Sequence, residues 1–466
     1  MFFMPIVPNS SASDQQLLSR VDRFFKEQRI GSLLKKSNFV KECGWTCLAL
    51  FKFLFLLVFS KKNLYQALQK KDSLDLPGKD AVYRFLNSSR YNWRKFLLLL
   101  SSGLIRNKLD PLTGKDRVKV LIVDDSLYSR ARSKAVELLA KVHDHTTGKF
   151  VRGFRLLTLG WSDGNTFVPL CFSLLSSHDP KNRLVEMFEG LDKRTTGYKR
   201  RRESMQKSSD VLIELLEQAL ASGIQASYVL FDSWFSFPST IMKVLEQKIH
   251  VICMLKGMPR VYYGYNGQKW NLNALYKAVR KKRGKAKILA SVIVTLGCNE
   301  QGEEIAAKIV FVRDRNRRRN WLALLTTDVH LPDEEVIRIY GKRWDIEVFF
   351  KMTKSYLRLA KEFQGRSYDM MFAHTSIVFA RYILLAVESR ESQDPRTLGE
   401  LFSLCCDEME DIKFASALLL LIELFKSAVR EVLVLTEEKF QELFEQFLSS
   451  LPNYIKGLLG ISVCES

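Results

Sequence analysis

Along residues 15–110 apolar side chains recur at helical intervals, with a Gly/Pro break at "LPGKD", 76–80. After the break, Val82, Phe85, Trp93, Phe96 and Leu97 keep this spacing, with Arg84, Arg90, Arg94 and Lys95 among them. A helix-turn-helix reader of DNA and an ordinary basic helical bundle both fit that pattern. From 117 the period shortens. "VKVLIVDD" is a β-branched strand ending in two acids, and "GFRLLTLGW" and "TFVPLCFSLL" flank "SDGN" (162–165), a hairpin signal. An amphipathic helix near 208–222 precedes the strand "SYVLFD", which again ends in an acid; a helix ("FPSTIMKVLEQK") and a strand ("HVICML") follow. Short strands separated by basic loops fill 256–320, core elements resume at "WLALLTTD", and beyond about 370 the chain is helical and leucine-rich. The expected organisation is a helical N-terminal region (1–115), an α/β mixed-sheet core in two parts (116–255 and 321–375), a β-rich basic insertion (256–320) and a helical C-terminal region (376–466).

One segment places an unusual demand on its helix. In "YGKRWDIEVFFKMTK" (340–354), Tyr340, Arg343, Glu347, Lys351 and Lys354 follow at steps of three and four, which at about 100° per residue form one stripe. Trp344, Ile346, Phe349 and Phe350 supply apolar surface around it, so the stripe is expected to line a cleft.

Charge sharpens the picture. The chain has 466 residues, 47% apolar and 26% charged, the composition of a globular protein of several domains with a sizeable core. Its net charge is +21, yet residues 391–466 hold 14 acidic and 6 basic side chains, so the remainder is more basic still. Seven Lys or Arg fall in 191–207, seven more in 277–287, and five Arg in 313–319. Such a surface suits a polyanion, nucleic acid above all. The most apolar run, "CLALFKFLFLLVFS" (47–60), is 14 residues long and carries Lys52, so it is expected to be a buried helix and not a membrane span. The first residues lack a secretory pattern, so the protein is expected in the cytoplasm, associated with chromosomal DNA. Eight cysteines without a CxxC pair are expected to be reduced, and "HDH" (143–145) has no third ligand nearby.

Three acid positions stand out. Asp125, with Asp124 beside it, ends one strand, Asp232 ends another, and Glu347 lies on the stripe. Carboxylates at adjacent strand ends converge at the functional edge of an α/β sheet. There they repel one another unless a divalent cation lies between them, and hard oxygen ligands suit Mg²⁺ or Mn²⁺. Two such ions, about 3.5–4 Å apart, activate a water and stabilise the leaving oxygen of a phosphodiester. No Gly-rich phosphate loop, GxSxG or HExxH supports another chemistry.

The spacing Y-x2-R-x3-E-x6-K at Tyr340, Arg343, Glu347 and Lys354, with "VDDS" and "FDSW" upstream, resembles the DDE transposases of the insertion-sequence-4 group. The resemblance implies an RNase H-like core, a β-rich insertion between the second acid and the glutamate, and an N-terminal DNA-binding region. It implies Asp125, Asp232 and Glu347 as catalytic metal ligands for two Mg²⁺ or Mn²⁺ ions, Asp125 being preferred to Asp124 because Ser126 follows it. Tyr340, Arg343 and Lys354 would hold double-stranded DNA at the element end. Trp321 and Trp344 would stack on or replace a flipped base, although core packing also fits both. The implied reaction is nicking, hairpin formation, hairpin opening and strand transfer by a homodimer bound to paired ends. A metal-dependent nuclease of the same fold, a catalytically inactive DNA-binding relative and a basic structural protein of chromatin or ribosome are the alternatives.

Overall fold

The computed structural model describes residues 20–60, 64–68, 76–114, 116–144, 147–282, 286–298, 301–314, 320–362, 365–391, 398–432, 437–452 and 455. The first residues, His145, Arg283, the arginines of 315–319 and Cys464 lie outside these.

Eleven strands form one mixed sheet: β1 (Val120–Ser129), β2 (Ala140–Asp144), β3 (Lys149–Ser162), β4 (Phe167–Leu175), β5 (Tyr228–Phe231), β6 (His250–Leu255), β7 (Tyr262–Tyr265), β8 (Gln268–Asn271), β9 (Ile288–Cys298), β10 (Glu304–Arg313) and β11 (Trp321–Thr326). Their order is β2-β3-β1-β5-β6-β11-β10-β9-β7-β8, with β4 paired to β3. β1, β5 and β6 are parallel, and β3 lies antiparallel against β1. The parallel strands are the continuous apolar runs of the sequence because both their faces are covered. This mixed sheet flanked by helices is an RNase H-like core.

The "SDGN" hairpin forms between β3 and β4. Gly164 sits there at φ 85°, and a Cβ would lie 2.9 Å from Cε of Lys342. Only glycine satisfies both the backbone and the close approach. The 256–320 segment does not stand apart from the core. β11 pairs with β10 on one side and β6 on the other, so the insertion's strands extend the core sheet.

The run 47–60 is a buried helix, Cys47–Leu56, capped by Thr46, with Leu50, Phe51, Leu54 and Phe55 fully enclosed. Lys52 reaches outward to pair with Asp22. Val82, Phe85, Trp93, Phe96 and Leu97 are buried in the same core as the sheet. Arg94 faces that core, pairing with Glu203 at 2.6 Å and donating to the Phe172 carbonyl at 3.0 Å.

Helix Tyr368–Glu391 runs through the centre of the molecule. It is long and apolar enough to cross a membrane by length and composition, and all of that apolar stretch is buried in protein. Within it, the enclosed Arg381 bonds Glu362 at 2.7 Å and donates to the carbonyls of Phe55 (2.9 Å) and Leu54 (2.5 Å), which end the Cys47–Leu56 helix. The expected boundary at 375/376 thus falls inside a core helix. Beyond it, helices Leu398–Val432 and Glu437–Ser450 share a small satellite core around Ile422 and Phe444. They leave Leu420, Leu421, Leu424, Phe425 and Leu443 exposed.

Candidate active site

The geometry starts from a strand register. In the parallel pair β1/β5, Val120 to Val123 lie opposite Tyr228 to Phe231. The next residue on each strand is an aspartate, Asp124 on one and Asp232 on the other. Because side chains alternate along a strand, Asp124 and Asp232 emerge on one face and Asp125 on the other.

Each aspartate's surroundings agree. Asp124 is half-buried, and its carboxyl is raised to about 7 by burial and by the charges of Asp232 and Asp125, with Arg343 opposing. Asp232 accepts from the Trp234 amide at 2.8 Å, which fixes the turn after β5. Asp125 turns away and pairs with Arg155 of β3, whose Nε donates to Oδ2 at 2.9 Å. Arg155 also donates to the His143 carbonyl at 2.8 Å. The Asp125 carboxylate is thus engaged by Arg155 on the face opposite Asp124.

The glutamate helix, Trp344–Ser355, lies on the Asp124 face. Its buried side, Ile346, Phe349 and Phe350, packs into the core. Arg343, at its start, pairs with Glu347 one turn on, and its Nη1 stands 3.7 Å from Asp124 Oδ2. The Tyr340 ring lies 5.8 Å from that guanidinium, and burial raises the tyrosine's pKa. Near the helix end, Lys354 donates to Ser126 Oγ at 2.6 Å; Ser126 shares Asp124's face of β1. Burial lowers the Lys354 pKa, with Asp144 and Asp124 opposing. Four of the five stripe residues, Tyr340, Arg343, Glu347 and Lys354, thus line one edge beside the strand-end acids, and Lys351 is exposed.

The two tryptophans part company. Trp344 is 62% exposed beside this edge. Trp321 packs on Tyr276, ring centroids 4.5 Å apart, and edge-on to Phe311. The sequence reading missed Trp234, which is half exposed two residues after Asp232, with Phe237 exposed close behind it. The "FDSW" motif was the available signal.

Oxygen donors alone make up the acid set, which suits a hard divalent cation. As the side chains lie, no three His, Cys, Asp or Glu among the described residues are gathered closely enough to hold one. The Arg343 guanidinium contacts both Asp124 and Glu347, and the oxygen-only set of Asp124, Asp232 and Glu347 is the donor type a hard divalent cation takes.

With strand-end acids on one face and a basic edge beside them, the arrangement is that of a phosphodiester-cleaving enzyme, and a family model decides the matter: that of the DDE superfamily endonucleases matches residues 56–319. The chain belongs to that family. The matched segment contains Asp124 and Asp232 and stops before Glu347. No curated protein matches the chain. DDE superfamily endonucleases act on DNA and use divalent metal ions. For this DDE endonuclease the basic segment 199–202 also divides: Lys199 and Arg202 are exposed, whereas Arg200 and Arg201 are buried against Asp369 and Glu137.

Proposed function

We propose that the protein is a cut-and-paste DNA transposase of the insertion-sequence-4 group, with Asp124, Asp232 and Glu347 as its acid triad. The observation that carries this reading is the in-register pair of strand-end aspartates beneath a helix edge bearing Arg343, Glu347 and Lys354. Bound between the three carboxylates, one or two Mg²⁺ or Mn²⁺ ions would supply charge stabilisation to an in-line displacement at phosphorus.

The chain's own residues do the rest. Arg343 and Lys354 neutralise phosphates on either side of the scissile bond, and Tyr340 packs beside Arg343 and limits its swing. Trp344, exposed at the helix start, stacks on an unpaired base at the element end. Trp321 stays with Tyr276 as part of the insertion's core. Lys281 and Lys282 are exposed on the insertion and add sequence-independent backbone contacts. The acidic C-terminal helices, with their exposed leucines, pair two protomers across two DNA ends in the cytoplasm.

The test uses the full chain on duplexes carrying the element ends. Joined 3′ ends in the product support the transposase reading, whereas free ends alone reduce it to a nuclease, and retention without cleavage to a DNA-binding relative. Truncation after Glu391 should preserve single-end binding and weaken paired-end complexes. A folded truncation that still assembles paired ends removes the C-terminal helices from the pairing.

A further inference from the structure

Arg343 occupies a position that its assignment as a phosphate ligand does not explain. Its guanidinium pairs with Glu347 on one side and stands 3.7 Å from Asp124 on the other, with only 16% of its side chain exposed. These are two of the three carboxylates that the proposed function gives to the metal, and the inference rests on that reading. A divalent cation shared by Asp124 and Glu347 cannot enter while a guanidinium fills the gap, because two like charges at contact distance in a half-buried site repel strongly. A metal that uses both acids must expel Arg343.

We propose that Arg343 is a placeholder cation. Before metal arrives it holds Asp124 and Glu347 together and offsets their mutual repulsion, and metal binding releases it toward the DNA phosphate. Tyr340 flanks the side chain, its ring centroid 5.8 Å from the guanidinium, and Ile346 and Phe349 anchor the helix that carries it. Its next available anion is the scissile strand. Metal loading and the grip on DNA are thereby coupled through one side chain, and the coupling is reciprocal.

The probe is Mn²⁺ alone, titrated into DNA-free protein and followed by the electron paramagnetic resonance of the free ion, for wild type, Arg343→Gln, Arg343→Lys and Asp232→Asn. Arg343→Gln should bind Mn²⁺ tighter by about fivefold, with Arg343→Lys between it and wild type, because a lysine reaches one carboxylate at a time. In a second measurement, Ca²⁺ should tighten DNA binding by wild type about fivefold and leave binding by Arg343→Gln nearly unchanged. Unchanged or weaker Mn²⁺ binding by Arg343→Gln, or full retention of the Ca²⁺ effect on DNA, overturns the placeholder while leaving the triad standing. Mn²⁺ binding that Asp232→Asn does not diminish overturns the triad itself, and the placeholder with it.

Discussion

Ser162 Oγ, at the end of β3, donates to Asp345 Oδ2 on the glutamate helix at 2.6 Å. Three residues earlier, Lys342 donates to the Asp163 carbonyl at 3.1 Å and to the Val118 carbonyl just before β1. Asp163 is itself held by Thr113 at 2.9 Å and Arg390 at 3.1 Å. The hairpin turn thus clasps the glutamate helix on both sides of Arg343 and sets where Glu347 lands relative to Asp124. Ser162→Ala or Asp345→Ala should lower the cleavage rate at saturating DNA by about tenfold and raise the half-saturating Mg²⁺ concentration. Affinity for DNA should stay the same, and Asp345→Asn, whose amide oxygen still accepts from Ser162, should restore most of the rate. A fall in DNA affinity equal to the fall in rate would deny the clasp its positioning role.

The two neighbouring aspartates of β1 should separate cleanly in cleavage assays. Asp124→Asn is expected to reduce cleavage by about a hundredfold to a thousandfold with little effect on DNA binding. Asp125→Asn should retain cleavage within about tenfold and instead lose about 2 kcal/mol in denaturant unfolding, since Arg155 exchanges a charged partner for a neutral one. The reverse ranking would return the first ligand to Asp125.

The basic segment 199–202 of helix Thr196–Ser204 mixes two kinds of charge. Arg201 bonds Glu137 at 2.6 Å and Asp369 at 2.8 Å, all three buried, and Glu137 also accepts from the Tyr368 and Phe188 amides. Arg201→Met should cost about 3–5 kcal/mol of stability because Glu137 keeps its burial and loses its countercharge. Lys199→Ala and Arg202→Ala should leave stability alone and flatten the slope of log affinity against log salt by up to about 0.9 per lost phosphate contact. A flattened slope in a folded Arg201→Met protein would contradict the division.

His374 gives the protein an acid sensitivity. It is fully enclosed in the central helix, and burial, Arg381 and Arg130 hold its imidazole well below its usual value of 6.5; Glu362 faces it at 3.6 Å. Below the ordinary histidine value the unfolded chain takes up a proton that the folded chain refuses, so this contribution is complete above 6.5 and lost as pH falls below it. Glu362, raised by burial, titrates in the opposite sense, so the comparison must be between variants. From pH 7 to pH 5 the wild type should lose more stability than His374→Gln, measured by thermal unfolding. Parallel curves for the two proteins would exclude His374 as the source.

Much of the core was legible because its strands are short apolar runs that end in acids, a pattern that burial on both faces enforces. Which of Asp124 and Asp125 lies level with Asp232 was also legible in the sequence. "VLIV" before Asp124 matches "YVLF" before Asp232 in length, and equal lengths in parallel register bring the first acid, not the second, level with Asp232. The hydroxyl of Ser126 pointed the other way, and it serves Lys354 instead. What local pattern could not reveal was partnership at long range. Arg200, Arg201 and Arg94 look like solvated charge until their acids arrive from residues 137, 203 and 369. Likewise the extension of the sheet through β11 depends on pairing with β6, some seventy positions away in the chain.

The central helix also sets a timetable for the protein's birth. Arg381 closes the end of the Cys47–Leu56 helix from 326 residues downstream, and the same helix packs against the N-terminal helices, β4 and the glutamate helix. While the ribosome is still making the middle of the chain, these surfaces lack their common partner, and contacts of such long sequence separation form late. A nascent chain that carries both strand-end aspartates therefore lacks the helix against which Trp344–Ser355 packs. The surfaces that seat the glutamate helix are completed only after about residue 390 has emerged.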